Sequence, residues 1–430
     1  MAASYFENDM RDQATFDLFI RELPEQRNFL VACGLEQALS YLENLHFTED
    51  HLGYLRSLDL FEDRFLSFLG DLRFTGEVWA VPEGEAIFAC EPLVRVTAPL
   101  IEAQIVESFL LNCLTFQTMI ASKAARLKIA CGDREFVDYS LRRDHGVDAA
   151  LKAARASFVA GAVGTSNVLA GKLYGIPVSG TMAHSYVMAF GDEISAFRAY
   201  ARQFADRTVL LIDTFDVEEG TRNAVRVAKE TEAAGGKVDA VRIDSGDLAD
   251  LTRSVRKILD EDGLDHVKIV LSGDLDEYRI RRLLEANVPA DVFGVGTQLG
   301  TSGDAASLGG AYKLVQDSNG PRIKLSAGKA TTPGRKQVVR FGDGNDERHD
   351  LITLEDEEVA GGRPLLERVM AEGHPTRPPE PLAVLKDRCR RAVTSLPERL
   401  LTLEGTPDPY QVRLSSRLRD LVDQMHRSSR

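Results

Sequence analysis

Four short runs, TVLLIDTFD (208–216), VDAVRIDSGD (238–247), VKIVLSGDLD (267–276) and VFGVGT (292–297), decide the fold. Each opens on β-branched and aliphatic residues and closes in a small or polar cluster: IDT, IDSGD, SGD or GVGT. Three helical patterns lie between them. TRNAVRVAKETEAAGG ends in paired glycines, LADLTRSVRKILDEDG ends at Gly263, and DEYRIRRLLEANV runs into Pro289, all ordinary helix stops. Asp213, Asp244, Ser272 and Gly296 are separated by 31, 28 and 24 residues. Strand, helix and strand repeating every ~30 residues is the βα unit of a parallel sheet. The spacing predicts a β/α barrel, whose C-terminal strand ends carry the chemistry and whose last loops commonly bind phosphate. A doubly wound open sheet is the rival. Against it, GVGTQLG places its third glycine one residue too late for G-x-G-x-x-G and lies late in the chain; no P-loop pattern occurs.

Outward from this block the text is mixed α/β. FLVACGLEQALSYLENL (29–45) has helical spacing, and EVWAVPEGEAIFACEPLVRVTAPL (77–100) reads as short strands broken by Pro and Gly. One long core helix is expected from Ile101 to Leu127, too interrupted by Glu102, Glu107 and Lys123 to cross a membrane. Later, KQVVRFGDG and RHDLITLED are strand signals and GHPTRPPEPL is a connection. SSRLRDLVDQMHR sets Leu418, Leu421, Val422 and Met425 on one face of a closing helix.

The 430 residues are 44% hydrophobic and 27% charged, the balance of a soluble globular protein with two or three domains, or one barrel with additions. With 52 Lys and Arg against 66 Asp and Glu the net charge is −14, which argues against nucleic-acid and membrane-surface binding. An anionic small substrate remains compatible, provided a local group of Arg or Lys opposes the global field. Five scattered cysteines without a C-x-x-C pair argue against a disulfide framework or zinc ribbon and suggest buried thiols in a reducing cytoplasm. MAASYFENDMRDQ lacks the pattern of a signal peptide, so the expected location is cytoplasmic.

Four places could carry chemistry. In GIPVSGTMAHSYVMAF (175–190) a polar turn bears His184 and Ser185, although a histidine alone is more often structural. In VRIDSGDL (241–248), Asp244 and Asp247 flank Ser245 and Gly246 where a strand turns into a helix. Such a turn binds anions, and its aspartates can orient a cation, a hydroxyl or hydrated Mg2+. Arg242, two residues before Asp244 on the strand, points to the same side. A helix N-cap plus a structural ion pair explains these residues equally well. In VFGVGTQLGTSGDAASLGG (292–310), glycines including Gly296 accompany Thr297 in a loop able to cradle phosphate, or simply to flex. In YSLRRDHG (139–146), adjacent Arg142 and Arg143 suit a carboxylate or pyrophosphate, as many solvated pairs also would. KLSAGKATTPGRKQVVR (324–340) is basic and reads mainly as a turn and edge strand. Residues alone therefore reach a β/α-barrel enzyme for a phosphate-bearing anionic ligand, and no named reaction.

The ordered set GTMAHSYV, LLIDTFDV, VRIDSGDL, FGVGTQLGTS and SLGGAYKLV resembles the nicotinate phosphoribosyltransferase family. The likeness extends through EPLVRVTAPLIEAQIVESFLLN, ASKAARL, LRRDHG, GTSNVLAG, KATTPGRKQVVR and YQVRLSSRLRDL, so it covers nearly the whole chain. The resemblance implies an irregular TIM-like barrel of the type II phosphoribosyltransferases, beside an α+β domain built from both chain ends. The boundaries expected are 1–120 for the N-terminal part, 121–324 for the barrel and 325–430 for the returning segment. It implies condensation of nicotinate with phosphoribosyl pyrophosphate (PRPP), giving nicotinate mononucleotide and pyrophosphate in NAD salvage. ATP hydrolysis through a phosphohistidine, Mg2+ carried with ATP and PRPP, and a homodimer are implied as well.

By motif, His184 matches the phosphorylated histidine, and Asp213 and Asp244 match acids facing the ribose. Thr181 and Arg242 match nicotinate contacts, with Arg142 a further carboxylate or phosphate contact. Thr297 matches a 5′-phosphate contact, and Ser185, Gly273 and Gly296 complete the substrate-binding set. Family members usually carry a TDLYELTM-like segment whose last residue would align with Met1, including a tyrosine that stacks on the pyridine ring. The sequence does not show it, Tyr5 is not its equivalent, and no stacking residue is assigned. The alternatives are nicotinamide phosphoribosyltransferase, disfavoured by the arginines near the base, and a catalytically impaired PRPP-binding homologue.

Overall fold

The aliphatic halves of the decisive runs form parallel strands in the computed structural model, which describes residues 1–205, 207–325, 331–342 and 348–428. The chain divides into two units, Lys123–Ala306 and the combination of Met1–Ser122 with Ser307–Arg430. In the Lys123–Ala306 unit the strands are β1 (Glu135–Asp138), β2 (Thr208–Leu211), β3 (Val238–Ile243), β4 (Lys268–Leu271) and β5 (Val292–Val295). Their order in the sheet is β1-β5-β4-β3-β2, with every pairing parallel. Beyond β1 two single parallel bridges, Asp138 to Thr165 and Thr165 to Val178, carry the ladder further. Followed along the chain, β1, Thr165, Val178, β2, β3, β4 and β5 therefore succeed one another cyclically. Among the described residues no strand pairing joins Val178 to β2.

The apolar strand residues are buried (Ile269, Leu271, Phe293 and Val295 among them), as expected where helices cover a parallel sheet. Three of those helices, Val217–Ala233, Leu248–Glu261 and Glu277–Glu285, start on the aspartates Asp216, Asp247 and Asp276. Each accepts a hydrogen bond from a backbone N–H of the first turn. A cap of this kind stabilises a helix by about 1 kcal/mol. The capping explanation thus holds for Asp247, whereas Asp244 is left for other work.

The unit built from both chain ends holds a seven-stranded sheet in which Gln13–Ile20 lies between Gly310–Asp317 and Pro92–Pro99, antiparallel to both. A four-stranded sheet contains Lys336–Phe341, His349–Leu354 and Gln411–Leu414. The pairing of 310–317 with 13–20 moves the unit border to Ala306, earlier than the 324 drawn from the sequence. Residues 326–330, at the expected junction, lie outside the described residues. The long helix expected from Ile101 is two, Leu100–Ile105 and Glu107–Cys131, with a break at Val106. The 29–45 run is a short strand, Leu30–Val31, followed by the helix Leu35–Glu43. Four cysteines are buried, but Cys90 is exposed, on a turn with φ +67°. Tyr5 packs against the core from the helix Ala2–Glu7. No described helix is long and apolar enough to cross a membrane.

Candidate active site

The turns after β1, β3, β4 and β5 enclose a cavity of about 230 Å3. Its lining includes Tyr139, Arg142 and Arg143 after β1, Arg242 from the end of β3 with Asp244 after it, Ser272, Gly273 and Asp274 after β4, and Gly294 from β5 with Gly296 and Thr297 after it. These are the C-terminal strand ends, where parallel α/β sheets bind ligands.

Arg242 is held in place on three sides. Its Nη2 donates to Asp244 Oδ1 at 2.7 Å, and its Nε donates to Ser272 Oγ at 2.7 Å. Its guanidinium carbon lies 5.6 Å from the Tyr139 ring centre, a cation–π distance. Ser272 in turn donates to Asp244 Oδ1 at 2.5 Å. With Nε and one Nη2 hydrogen engaged, Nη1 is left to meet an anion in the cavity. Burial pushes the Asp244 carboxyl up, but the Arg242 charge and the Ser272 and Arg242 hydrogen bonds outweigh it. With His184 also nearby, the group stays below the ordinary aspartate range and ionised at neutral pH. Burial, helped by the Asp244 charge, prevails at the Tyr139 hydroxyl, raising it against Arg242 and a bond to Ser179.

Two glycines make this packing possible. A Cβ on Gly294 would stand 2.6 Å from the Tyr139 ring, so the ring lies directly on the β5 backbone. Gly273 has φ +96°, and a Cβ there would meet the Asp244 carbonyl oxygen at 2.1 Å. Only glycine satisfies both conditions.

His184 starts the helix His184–Phe190, with its side chain 38% exposed. Its Nδ1 is 3.1 Å from Thr214 Oγ1, and its Nε2 is 3.8 Å from Asp244 Oδ2 and 4.0 Å from Asp213 Oδ1. Asp213 Oδ2 accepts from the Asp244 N–H at 2.9 Å and from Ser245 Oγ at 2.6 Å. Asp213 Oδ1 is buried and has no hydrogen-bond partner. A fixed imidazole thus faces two carboxylates, one of them with an oxygen to spare. Among the described residues no group of three His, Cys, Asp or Glu could hold a metal ion.

Of the residues singled out by sequence, Arg142, Arg242, Asp244, Gly273, Gly296 and Thr297 line one cavity, with His184 and Asp213 beside Asp244. Thr181 and Ser185 do not line it. Thr181 bonds the neighbouring Met182 carbonyl at 3.3 Å, and Ser185 is exposed on the His184 helix. Sequence reasoning missed Tyr139, although it opens the YSLRRDHG motif, and used Ser272 only to measure spacing. It also missed a pair of acids below the arginines. Ser140 Oγ bridges Asp138 Oδ1 at 2.5 Å and Asp144 Oδ2 at 3.1 Å. Burial and the Asp138 charge push Asp144 up to about 6.

Residues 1–115 match the family model described as nicotinate phosphoribosyltransferase (NAPRTase) N-terminal domain, and residues 134–316 match that of the NAPRTase family. The chain is 46% identical over 421 residues to nicotinate phosphoribosyltransferase pncB2 of Mycobacterium tuberculosis, covering 97% of this chain and 90% of that one. It is 44% identical over 373 residues to nicotinate phosphoribosyltransferase of Bacillus subtilis, covering 84% and 75%. Human nicotinic acid phosphoribosyltransferase has a similar crystal structure, with TM-score 0.89 and 29% identity over 99% of this chain and 98% of that one.

Proposed function

The chain belongs to the nicotinate phosphoribosyltransferase family of enzymes, and from that premise we propose that it joins nicotinate to PRPP in NAD biosynthesis. The pyridine nitrogen attacks C1 of the ribose, the C1–O bond to pyrophosphate breaks, and nicotinate mononucleotide and pyrophosphate leave. The observation that carries this reading is the Arg242 fork, locked by Ser272 and Asp244 and open on one side to the cavity. A desolvated guanidinium suits the carboxylate of nicotinate and has no such partner in nicotinamide. Arg142, Gly273, Gly296 and Thr297 take the phosphates of PRPP. Asp244, ionised, and Asp213 face the positive charge that develops on the ribose as pyrophosphate departs.

ATP enters through His184. With Nδ1 tied to Thr214, Nε2 is the nucleophile; it forms a P–N bond with the γ-phosphorus as the bond to ADP breaks. Hydrolysis of that phosphohistidine then accompanies product formation. Mg2+ carried with ATP and PRPP would supply positive charge against their phosphates. The spare Oδ1 of Asp213 and the Asp244 carboxylate are the oxygens suited to meet it, consistent with Mg2+ using few protein ligands.

The cyclic succession of parallel strands supports an irregular TIM-like barrel, with the His184–Thr214 contact bridging the seam between Val178 and β2. The domain scheme of a barrel and a domain from both chain ends belongs to the same reading, as do a homodimer and a cytoplasmic location. Competition between labelled nicotinate and nicotinamide tests it. Nicotinate should be used preferentially; preference for nicotinamide would overturn the assignment.

A further inference from the structure

A second concave surface lies within the unit formed by the chain ends and shares no lining residue with the cavity at the strand ends. It encloses about 540 Å3, and four arginines face it: Arg348, Arg363, Arg388 and Arg391. In a chain of net charge −14 such a convergence calls for a physical reason.

The carboxylates nearby account for three of the four. Glu85, the one acid among the described lining residues, is shared between Arg363 at 3.0 Å and the buried Arg340 at 3.5 Å. Arg388 pairs with Glu380 at 2.5 Å, and Arg391 with Asp387 at 3.0 Å. Arg348 is different. It is 6% exposed; its Nη1 donates to the Ser395 carbonyl and hydroxyl, and Tyr410 also hydrogen-bonds the guanidinium, so all of these partners are neutral. Its Nε is buried with no hydrogen-bond partner, and no carboxylate lies within 4 Å among the described residues. Burial and the Arg340 charge act to lower its pKa, opposed by Tyr410 and Asp350, while Asp350 is itself engaged by Arg340. A buried guanidinium whose hydrogen-bond partners among the described residues are all neutral is unfavourable unless something else supplies the charge.

We infer that this cavity binds a small oligophosphate anion. Arg348 lies at its base, and Arg363 and Arg391, 51% and 64% exposed, stand at the rim, where they can turn toward a ligand. A lone carboxylate would occupy one guanidinium fork, whereas linked phosphates present several acceptor edges to several forks at once. The volume is in the range of small-molecule sites and well above that needed for a single phosphate.

Calorimetric titration of the full chain with inorganic pyrophosphate tests this. The double variant Arg142→Ala/Arg143→Ala weakens the cavity at the strand ends, so that the remaining heat reports the second site. That background should retain one pyrophosphate per chain, bound at least about tenfold more tightly than orthophosphate. Adding Arg391→Glu, at the solvent-exposed rim, should weaken binding more than about tenfold, and adding Arg348→Ala should abolish it. Arg391→Glu in the otherwise native chain should leave the KM for nicotinate unchanged. No residual heat, equal affinity for orthophosphate, or pyrophosphate binding indifferent to Arg391→Glu would each overturn the inference. Should Arg348→Ala fail to fold, the rim variant alone decides.

Discussion

Replacing Arg242 by Gln removes a charge held ready for a ligand carboxylate while keeping a side chain that can still bond Ser272. A hydrogen bond between ionised groups contributes about 1.5–3 kcal/mol, and about 1.4 kcal/mol is tenfold in binding. The KM for nicotinate should therefore rise by a factor of about 10 to 150, with the KM for PRPP little changed. A second effect follows from Asp244, whose carboxyl Arg242 holds down. Without that charge its pKa rises, so the acid limb of the rate profile should move to higher pH, since less of the carboxylate is ionised at any given acidic pH. Arg242→Lys should fall between, because an ammonium keeps the charge but cannot reach Ser272, Asp244 and a ligand together. Steady-state kinetics from pH 5 to 9, with each substrate varied, would separate these effects. Unchanged nicotinate kinetics in Arg242→Gln would remove this residue from the site and the argument with it.

Three further outcomes are expected. His184→Asn should abolish both ATP hydrolysis and the acid-labile phosphoenzyme while leaving slow, ATP-independent transfer; intact ATP coupling would contradict the role given to His184. Asp144→Asn should stabilise the fold above about pH 6 and do nothing below about pH 4. The folded group, at about 6, lies above the ordinary value near ~3.9, so ionising it opposes folding as the pH rises. Allowing for its partial contact with solvent, the gain is at most about 2 kcal/mol, and denaturant midpoints independent of pH would exclude it. Glu277→Gln should destabilise by about 3–5 kcal/mol, because the buried Glu277 faces Lys123 at 2.6 Å and Arg126 at 2.9 Å. A loss below about 1 kcal/mol in urea unfolding would show that Asp304, 2.9 Å from Lys123, suffices for both cations.

The regular part of the catalytic unit was legible because its signals are local. Four aliphatic runs at a near-constant period, the first three each followed by a capped helix, need no distant partner to be recognised. The polar strand ends were legible for the same reason, and Arg242 and Asp244, just past the end of β3, share a side because an extended chain alternates. What escaped reading depends on distance along the chain. The strand 310–317 belongs with 13–20, so the unit border at Ala306 is set by residues close to the start of the chain. Thr165 and Val178 contribute single bridges, too short for any periodicity to register. Tyr139 looks like any aromatic at a strand end until Gly294 is seen to seat its ring beneath Arg242. Asp213 and Asp216, like Asp244 and Asp247, look alike in sequence, yet in each pair the later residue caps a helix and the earlier faces His184.

Release of pyrophosphate by the purified full chain, followed with nicotinate and PRPP present together and each omitted in turn, with and without ATP, tests the central claim most directly. Release is expected only when both substrates are present, with one pyrophosphate per nicotinate mononucleotide and a faster rate with ATP. Pyrophosphate release indifferent to nicotinate, or none under any of these conditions, would contradict it.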